Sequence, residues 1–106
     1  MVKAEIREKL KQFCRALGKN KIRVDRLILY GSHARGASKK YSDIDVAVVS
    51  PDFGKDRFKE GVKLFKIAYK IDPRLEPVPV SLESFEKDTW LPLIYEIREK
   101  GIEVKV

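Results

Sequence analysis

The sequence predicts an α/β (α+β) fold in which a mixed sheet of about four strands is flanked by helices. Two short apolar runs, 27–30 and 46–49, are rich in β-branched or aromatic residues and indicate buried strands. Two longer stretches, 2–17 and 56–70, place apolar residues at spacings of three and four, which is typical of amphipathic helices. Because helices and strands alternate along one short chain, we expect a single sheet covered by helices.

The other elements follow from turn residues and from the periodicity between them, and no internal repeat or linker interrupts them. In chain order we expect helix 2–17, strand 24–30, a helical turn at 33–35, strand 43–49, helix 56–70, strand 75–80, a short helix from Ser81, helix 90–100 and a half-exposed strand 102–106. Pro77 and Pro79 either confine strand 75–80 to a sheet edge or make it irregular, because proline has no N–H for a ladder hydrogen bond.

Each long helix carries one apolar stripe, the kind of face by which a helix packs on a sheet. The stripe of the first helix consists of Ile6, Leu10, Phe13, Cys14 and Leu17. The stripe of the second helix consists of Phe58, Val62, Phe65 and Tyr69. We therefore expect Cys14 to contribute to packing rather than to chemistry.

Length and composition indicate one globular domain, 1–106, in a reducing compartment. The chain has 106 residues, 43% hydrophobic and 37% charged. A lone cysteine excludes an internal disulfide. No apolar run reaches the roughly 18 residues of a membrane helix, and the first residues are too charged for a signal peptide. We expect a soluble cytoplasmic protein that does not bind a membrane.

The formal net charge of +7 has two interpretations. It is compatible with an anionic partner such as a nucleotide or RNA. It is also typical of the Lys- and Glu-rich surface of a thermophile protein, and the chain has only one Gln and one Asn. Because the cations are spread along the chain, we favour the second interpretation and reserve a phosphate role for cations close to 31–45.

The stretch 31–45 carries most of the functional information. Gly31 and Ser32 follow the first buried strand, and Asp43 and Asp45 begin the second. Alternate strand residues point to one face, so the two carboxylates project together and repel each other unless cations neutralise them. Oxygen ligands favour a hard ion such as Mg²⁺ over zinc. The free N–H groups of a helical turn at 33–35 would form an anion site beside the Ser32 hydroxyl.

Three chemical interpretations of this stretch compete. In a Walker P-loop, Gly31 and Gly36 have the right separation, but Ala37 stands where the phosphate-binding lysine must be, so we reject it. A sugar-nucleotide transferase would use the Asp-x-Asp pair alone, which is a weak signal in so short a chain. The third interpretation uses Gly-Ser and Asp-x-Asp together.

The combined pattern resembles the signature of the DNA polymerase β-like nucleotidyltransferases. Gly31-Ser32 is followed, after ten residues, by Asp43-Ile-Asp45. The variant Gly-Ser-x-Ala-Arg-Gly, with Ser-Asp-Ile-Asp after it, is similar to the minimal nucleotidyltransferases (MNT), which include MntA-type antitoxins. The resemblance implies a mixed sheet flanked by helices, with the active site at the end of the first two strands.

The resemblance also implies the chemistry, which is transfer of a nucleoside monophosphate from a triphosphate such as ATP. It assigns the triphosphate to Gly31, Ser32 and the following amides. It assigns two Mg²⁺ ions to Asp43 and Asp45, in agreement with the need of in-line phosphoryl transfer for two ions about 3.5–4 Å apart. We expect Arg35 to contact the triphosphate, although a surface ion pair with the carboxylates is the other possibility.

The family normally adds a third carboxylate on a neighbouring strand, which holds the catalytic metal and can accept the proton of the attacking hydroxyl. Glu76 is the best candidate here for this catalytic and metal-binding position. The usual residue is Asp, and Pro77 is a further departure, so a solvated charge on an edge strand is an equal alternative. Asp72 is a weaker candidate, because Asp72-Pro73 is typical of a helix end.

Proteins of this kind are commonly paired with a helical HEPN RNase toxin. The resemblance therefore implies an antitoxin of a type VII-like pair, which transfers AMP to a tyrosine of the HEPN-domain toxin. A macromolecular acceptor, or another subunit in a homo- or hetero-oligomer, would complete so small a site. Two alternatives stay open: a non-catalytic partner-binding or nucleotide-binding module, and a nucleotidyltransferase acting on RNA or a small molecule.

Overall fold

One four-stranded mixed sheet organises the chain. The computed structural model describes residues 2–39 and 41–106. Its elements in chain order are α1 (Ala4–Lys19), β1 (Arg26–Tyr30), α2 (Ser32–Arg35), β2 (Ile44–Ser50), α3 (Arg57–Ile71), β3 (Leu75–Ser81), α4 (Leu82–Lys87), α5 (Pro92–Glu99) and β4 (Ile102–Glu103). The strand order is β3-β2-β1-β4, with β1 antiparallel to β2 and β4, and β2 parallel to β3. The predicted α/β fold is confirmed.

Helices cover both faces of the sheet. On one face α1 and α3 pack against residues that include Leu29, Val46 and Val48. On the other face α4 and α5 pack against Ala47 and Val49. β2 is thus buried on both sides, which explains why its sequence is a continuous apolar run rather than an alternating one.

The predicted apolar stripe of α1 is confirmed, because four of its five residues are buried and Cys14 is half-buried against the same core. The edge position of β3 is also confirmed. α4 begins as expected, with the Ser81 hydroxyl accepting a hydrogen bond from the Ser84 N–H at 3.0 Å.

The predicted packing face of α3 is wrong. Its aromatic stripe points outward: Phe58 is 80% exposed, Val62 38%, Phe65 46% and Tyr69 58%. The buried residues of α3 are Leu64 and Ala68. The reason is steric, because α3 lies close along β3: a Cβ added at Gly61 would be 3.9 Å from Pro79 Cδ. A row of smaller residues fits this narrow separation, and a row of aromatic residues does not.

The C-terminal boundaries are also shorter than predicted. α5 spans Pro92–Glu99 rather than 90–100, with Pro92 at the start of the helix, where its missing N–H costs nothing. β4 comprises Ile102–Glu103 rather than 102–106. Val104 is buried and donates a hydrogen bond from its N–H to Leu27 O at 2.9 Å, but Val106 is exposed, so the alternating pattern continues beyond the paired strand. Among the described residues, no helix combines the length and apolarity needed to span a membrane.

A buried ion pair shapes the turn from α3 into β3. Asp72 accepts hydrogen bonds from the Arg74 N–H at 2.8 Å and from the Arg74 guanidinium at 2.8 and 3.1 Å. Arg74 also contacts Glu5 of α1 at 2.6 Å. The Arg74 guanidinium, and then the Arg74 N–H, hold the pKa of Asp72 below its usual value. This carboxylate is therefore structural, and the turn positions the start of β3.

Replacing Asp72 by asparagine should lower the free energy of unfolding by about 1–3 kcal/mol near pH 7, because charged hydrogen bonds are lost. The pKa of Asp72 is lowered on folding, so its stabilisation is full above its ordinary value of 3.8 and is lost as pH falls through the lowered pKa. Urea unfolding at about pH 7 and about pH 2.5 checks this, with exposed Glu86→Gln as control. If the difference in free energy of unfolding between Asp72→Asn and wild type does not change with pH, this prediction is wrong.

Candidate active site

One edge of the sheet brings together the end of β1 and the beginnings of β2 and β3. Asp45 is paired with Tyr30 on the antiparallel side and with Glu76 on the parallel side. Residues in register on neighbouring strands share a face and lie about 5 Å apart. Tyr30, Asp45 and Glu76 therefore form a row across three strands, on the sheet face that α4 and α5 cover.

Asp43 joins this row from the residues just before β2. It lies two positions before Asp45 and is exposed, whereas Asp45 is half-buried and Glu76 is exposed. Burial and then the charges of Asp43 and Asp45 raise the pKa of Glu76. Burial, Asp43 and Glu96 raise the pKa of Asp45. The structure thus places the three predicted carboxylates within electrostatic reach of one another.

The turn after β1 approaches this row closely. Gly31 has φ +73°, in the region that favours glycine, and a Cβ at this position would collide with Asp45 Oδ2. Only a glycine lets the backbone of the turn and the Asp45 carboxylate lie side by side without displacement. The turn and the carboxylates consequently belong to one site.

The predicted helical turn after Gly31 is present as α2. The N–H groups of Ala34 and Arg35 each donate to Gly31 O at 3.1 Å. His33 Nε2 lies 3.3 Å from Ser42 O, and the Lys39 N–H donates to the Ser42 hydroxyl at 2.8 Å. These contacts tie α2 to the residues that lead into β2, so they hold Ser32 and Asp43 in one local unit.

Two basic side chains lie close enough to moderate the negative charge. His33 and Arg35 lower the pKa of Asp45, although burial and the neighbouring acids outweigh them. Arg35 is exposed, and within residues 2–39 and 41–106 no carboxylate lies within 4.0 Å of its guanidinium. The surface ion pair considered for Arg35 is therefore not formed, and the guanidinium stays beside the site.

The nucleotidyltransferase domain family matches residues 7–104. The chain belongs to this family. A Methanocaldococcus jannaschii protein named as a protein adenylyltransferase is 32% identical over 101 residues, which cover 94% of this chain and 99% of that protein.

Solved structures support the fold of this nucleotidyltransferase. One is a toxin–antitoxin complex with AMP-PNP, at a TM-score of 0.57 and 22% identity, covering 93% of this chain and 72% of that one. Another is a mutant of the toxin–antitoxin MntA–HpeT, at 0.55 and 21%, covering 92% and 72%. A third is a Sulfolobus solfataricus nucleotidyltransferase, at 0.55 and 12%, covering 97% and 87%. At these identities the likeness concerns the fold.

Two residues of the candidate site were not identified from the sequence. Glu96 of α5 is half-buried and raises the pKa of Asp45, and no motif marks it. Tyr30 was expected in the core, but it is half-buried in the row, where burial and then Asp45, Glu96 and Glu76 raise its pKa to about 12. Alternation along β1 from buried Ile28 could have placed Tyr30 on this face, whereas Glu96 depends on how α5 docks.

The donor chemistry of this edge suits magnesium in an open site. In the part of the chain that the structure describes, no three acidic, histidine or cysteine side chains enclose a metal position by themselves. Mg²⁺ does not require such a cage, because it usually keeps several waters and shares one or two carboxylates with substrate phosphates. Asp43, Asp45 and Glu76 offer only oxygen donors, and no cation of residues 2–39 and 41–106 forms an ion pair with them. Asp72, the weaker candidate, is committed to Arg74 instead.

Without divalent ions, Asp45→Asn should raise the melting temperature near pH 7 by a few degrees, because the ionised Asp45 carboxylate is disfavoured in the fold. Its pKa is raised on folding, so its contribution to stability is full below its ordinary value of 3.8 and is lost as pH rises through the raised pKa. Thermal unfolding in EDTA at about pH 7 and about pH 3.5 measures the difference, which should shrink at the lower pH.

Adding Mg²⁺ near pH 7 should raise the melting temperature of wild type more than that of Asp45→Asn, because binding to the folded state stabilises it. Glu86→Gln serves as the control for loss of an exposed charge. An Asp45→Asn protein that melts below wild type in EDTA would contradict the repulsion inferred for this edge.

Proposed function

We propose that this chain transfers AMP from ATP to a tyrosine hydroxyl of a HEPN-type RNase toxin, with release of pyrophosphate, and so acts as the antitoxin of a type VII-like pair. The observation that carries the proposal is the row of carboxylates facing the Gly31–Ser32 turn. Membership of the nucleotidyltransferase family supports the reaction class. The name of the archaeal relative, which matches nearly the whole chain, supports a protein as acceptor.

In this proposal residues 1–106 form one minimal domain, and each side of the site has a role. Asp43, Asp45 and Glu76 would hold two Mg²⁺ ions, which when bound neutralise charge on the attacking and leaving oxygens. Ser32 and the first amides of α2 would bind the triphosphate. Within α2, Ala34 and Arg35 are the first residues whose N–H groups donate to a backbone carbonyl, that of Gly31, so the amides before them point out of the helix end towards a ligand. Arg35 would add a charge-assisted contact to a phosphate oxygen.

Glu76 is suited to accept the proton of the attacking hydroxyl. Its carboxylate is in register with Asp45 on the neighbouring strand, and a carboxylate held there could act as a general base for a hydroxyl bound at this end of the sheet. A phenol has a free pKa of roughly 10, so deprotonation needs such help near neutral pH. Asp43 and Glu76 are both exposed, and this open edge is accessible to a hydroxyl carried by a protein.

A second candidate is nucleotidyl transfer to RNA. A cleft beside α2 is lined by residues that include Lys3, Lys39 and Tyr41, which supply positive charge and an aromatic ring. Glu5 and Asp72 also line it, and both contact Arg74. The formal net charge of +7 also favours an anionic partner such as RNA. The acceptor experiment therefore includes RNA.

The test incubates the chain with α-labelled ATP, Mg²⁺ and the product of the gene beside its own, which this proposal expects to be a HEPN protein, with total RNA in a parallel reaction. We expect label on the HEPN protein, and we expect Asp43→Asn to slow transfer by about 10³-fold, since a metal ligand supplies several kcal/mol of charge stabilisation. Mass spectrometry of the labelled protein should locate AMP on a tyrosine.

Glu86→Gln is the matched control, because it removes one exposed carboxylate away from the site and should leave the rate unchanged. Label on RNA alone would support the second candidate. Toxin neutralisation without label, or neutralisation that survives Asp43→Asn, would overturn catalysis and favour a binding module.

A further inference from the structure

The outward face of α3 carries a continuous apolar ridge. Its members, here called the α3 stripe, are Phe58, Val62, Phe65 and Tyr69, between 38% and 80% exposed. Spacings of four, three and four residues place them on one helical face. The rings of Phe65 and Tyr69 are 5.8 Å apart at 38° and pack against each other. Together the four side chains expose on the order of 400 Å², the size of patch that marks interaction sites on soluble proteins.

A row of cations runs beside the stripe. Each member is one residue after a stripe residue, so the two rows are parallel: Lys59, Lys63, Lys66 and Lys70. Among residues 2–39 and 41–106, no carboxylate lies within 4.0 Å of these four amino groups. The acids of the same segment are committed elsewhere, since Asp56 caps α3 and Glu60 accepts from the N–H groups of Gly54 and Lys55. The ridge is thus bordered by unpaired positive charge.

We propose that the α3 stripe is a docking face for an acidic amphipathic helix of a partner protein. The apolar spacing matches the way one helix lies along another or in a groove. The lysine row selects acidic residues that flank the apolar face of the partner, through charge complementarity. A second copy of this chain fits poorly, because the charged residues along this face are lysines and would find no acidic partner on an identical face.

The outer edge of β3, beside α3, is a poor site for adding a β-strand of a partner protein. Arg74 O accepts from the Ile44 N–H at 2.8 Å, so even-numbered residues of β3 direct their backbone groups towards β2. Pro77 and Pro79 therefore occupy positions on the free edge, where they remove two N–H donors. An added strand would lack these hydrogen bonds, so docking on this side has to use side chains of α3.

Nucleic acid is disfavoured by the chemistry of the ridge. Base stacking needs open aromatic faces in succession. In the α3 stripe Val62 is aliphatic and separates Phe58 from Phe65. The rings of Phe65 and Tyr69 pack against each other, so they are less open to a base. The lysines also lack the planar guanidinium that stacks on bases.

The stripe leads towards the catalytic edge. α3 has 15 residues and is therefore about 22 Å long. Tyr69, at its C-terminal end, precedes the Asp72 turn into β3, and Glu76 is the second residue of that strand. A helix docked on the stripe would therefore reach the end of the sheet at which the carboxylates lie, but from the opposite sheet face. This consequence for acceptor positioning rests on the proposed function, whereas docking itself does not.

The test measures binding without ATP, so its failure is distinguishable from failure of AMP transfer. The probe is a fluorescein-labelled peptide of roughly five helical turns, with leucine on one face and glutamate on both flanks. The matched probe carries lysine in place of glutamate. By anisotropy we expect the glutamate peptide to bind at least about tenfold more tightly than the lysine peptide. Lys63→Glu with Lys66→Glu should reverse this preference.

The double variant Phe65→Ser, Tyr69→Ser should weaken the glutamate peptide at least about tenfold. Tyr95→Ser is the matched control, because Tyr95 is 56% exposed against 58% for Tyr69 and lies on α5, in the opposite helical layer. Circular dichroism should give the same spectrum for all variants, since the replaced residues are exposed.

Four outcomes would overturn the proposal. One is no glutamate-peptide binding up to about 1 mM, and another is equal affinity for both peptides. A third is equal weakening by Tyr95→Ser. The fourth is that the stripe binds another occupant. Either a labelled oligouridylate would bind more tightly than the peptide, or sedimentation velocity would show a dimer, and the double variant would abolish the effect in each case.

Discussion

The repulsion among carboxylates at one sheet edge is the constraint on which the rest of this structure depends. The register of β2 with β3 sets Asp45 beside Glu76, and the residues before β2 add Asp43. Gly31 lets the turn after β1 lie against the same carboxylates. Negative charge, which can attract metal cations, is thereby concentrated beside the backbone amides and Arg35, which can attract a phosphate chain. The strand that carries Asp45 is anchored in the core, because β2 is buried on both faces.

Division of labour among the acids follows from their surroundings. Asp72 is paired with Arg74, and Asp52 accepts hydrogen bonds from Arg23, so the pKa of each carboxyl is lowered and each stabilises a turn. Asp45 and Glu76 have no such partner among the residues that the structure describes, and their pKa values are raised, mainly by burial. Acids with a lowered pKa thus support the fold, whereas acids with a raised pKa are suited to bind cations. Raised carboxyl pKa values of this kind are typical of functional sites.

Local features of the site could be predicted from the sequence, and long-range ones could not. Gly31, Ser32, Asp43 and Asp45 lie within fifteen residues, so strand alternation and one turn suffice to bring them together. Glu96 enters the site through the docking of α5, which no local pattern encodes. The α3 stripe was assigned to the core because spacing identifies a row of apolar residues but not which of two neighbouring rows the sheet accepts. Close packing on β3 selected Leu64 and Ala68.

The central claim is that this acidic edge and the turn beside it form one receptor for magnesium and a triphosphate. Isothermal titration of ATP into the protein, with Mg²⁺ and then with EDTA, tests it most directly. We predict binding that weakens at least about tenfold when EDTA removes the metal. ATP binding of the same affinity in both buffers, or no binding in either, would contradict the account.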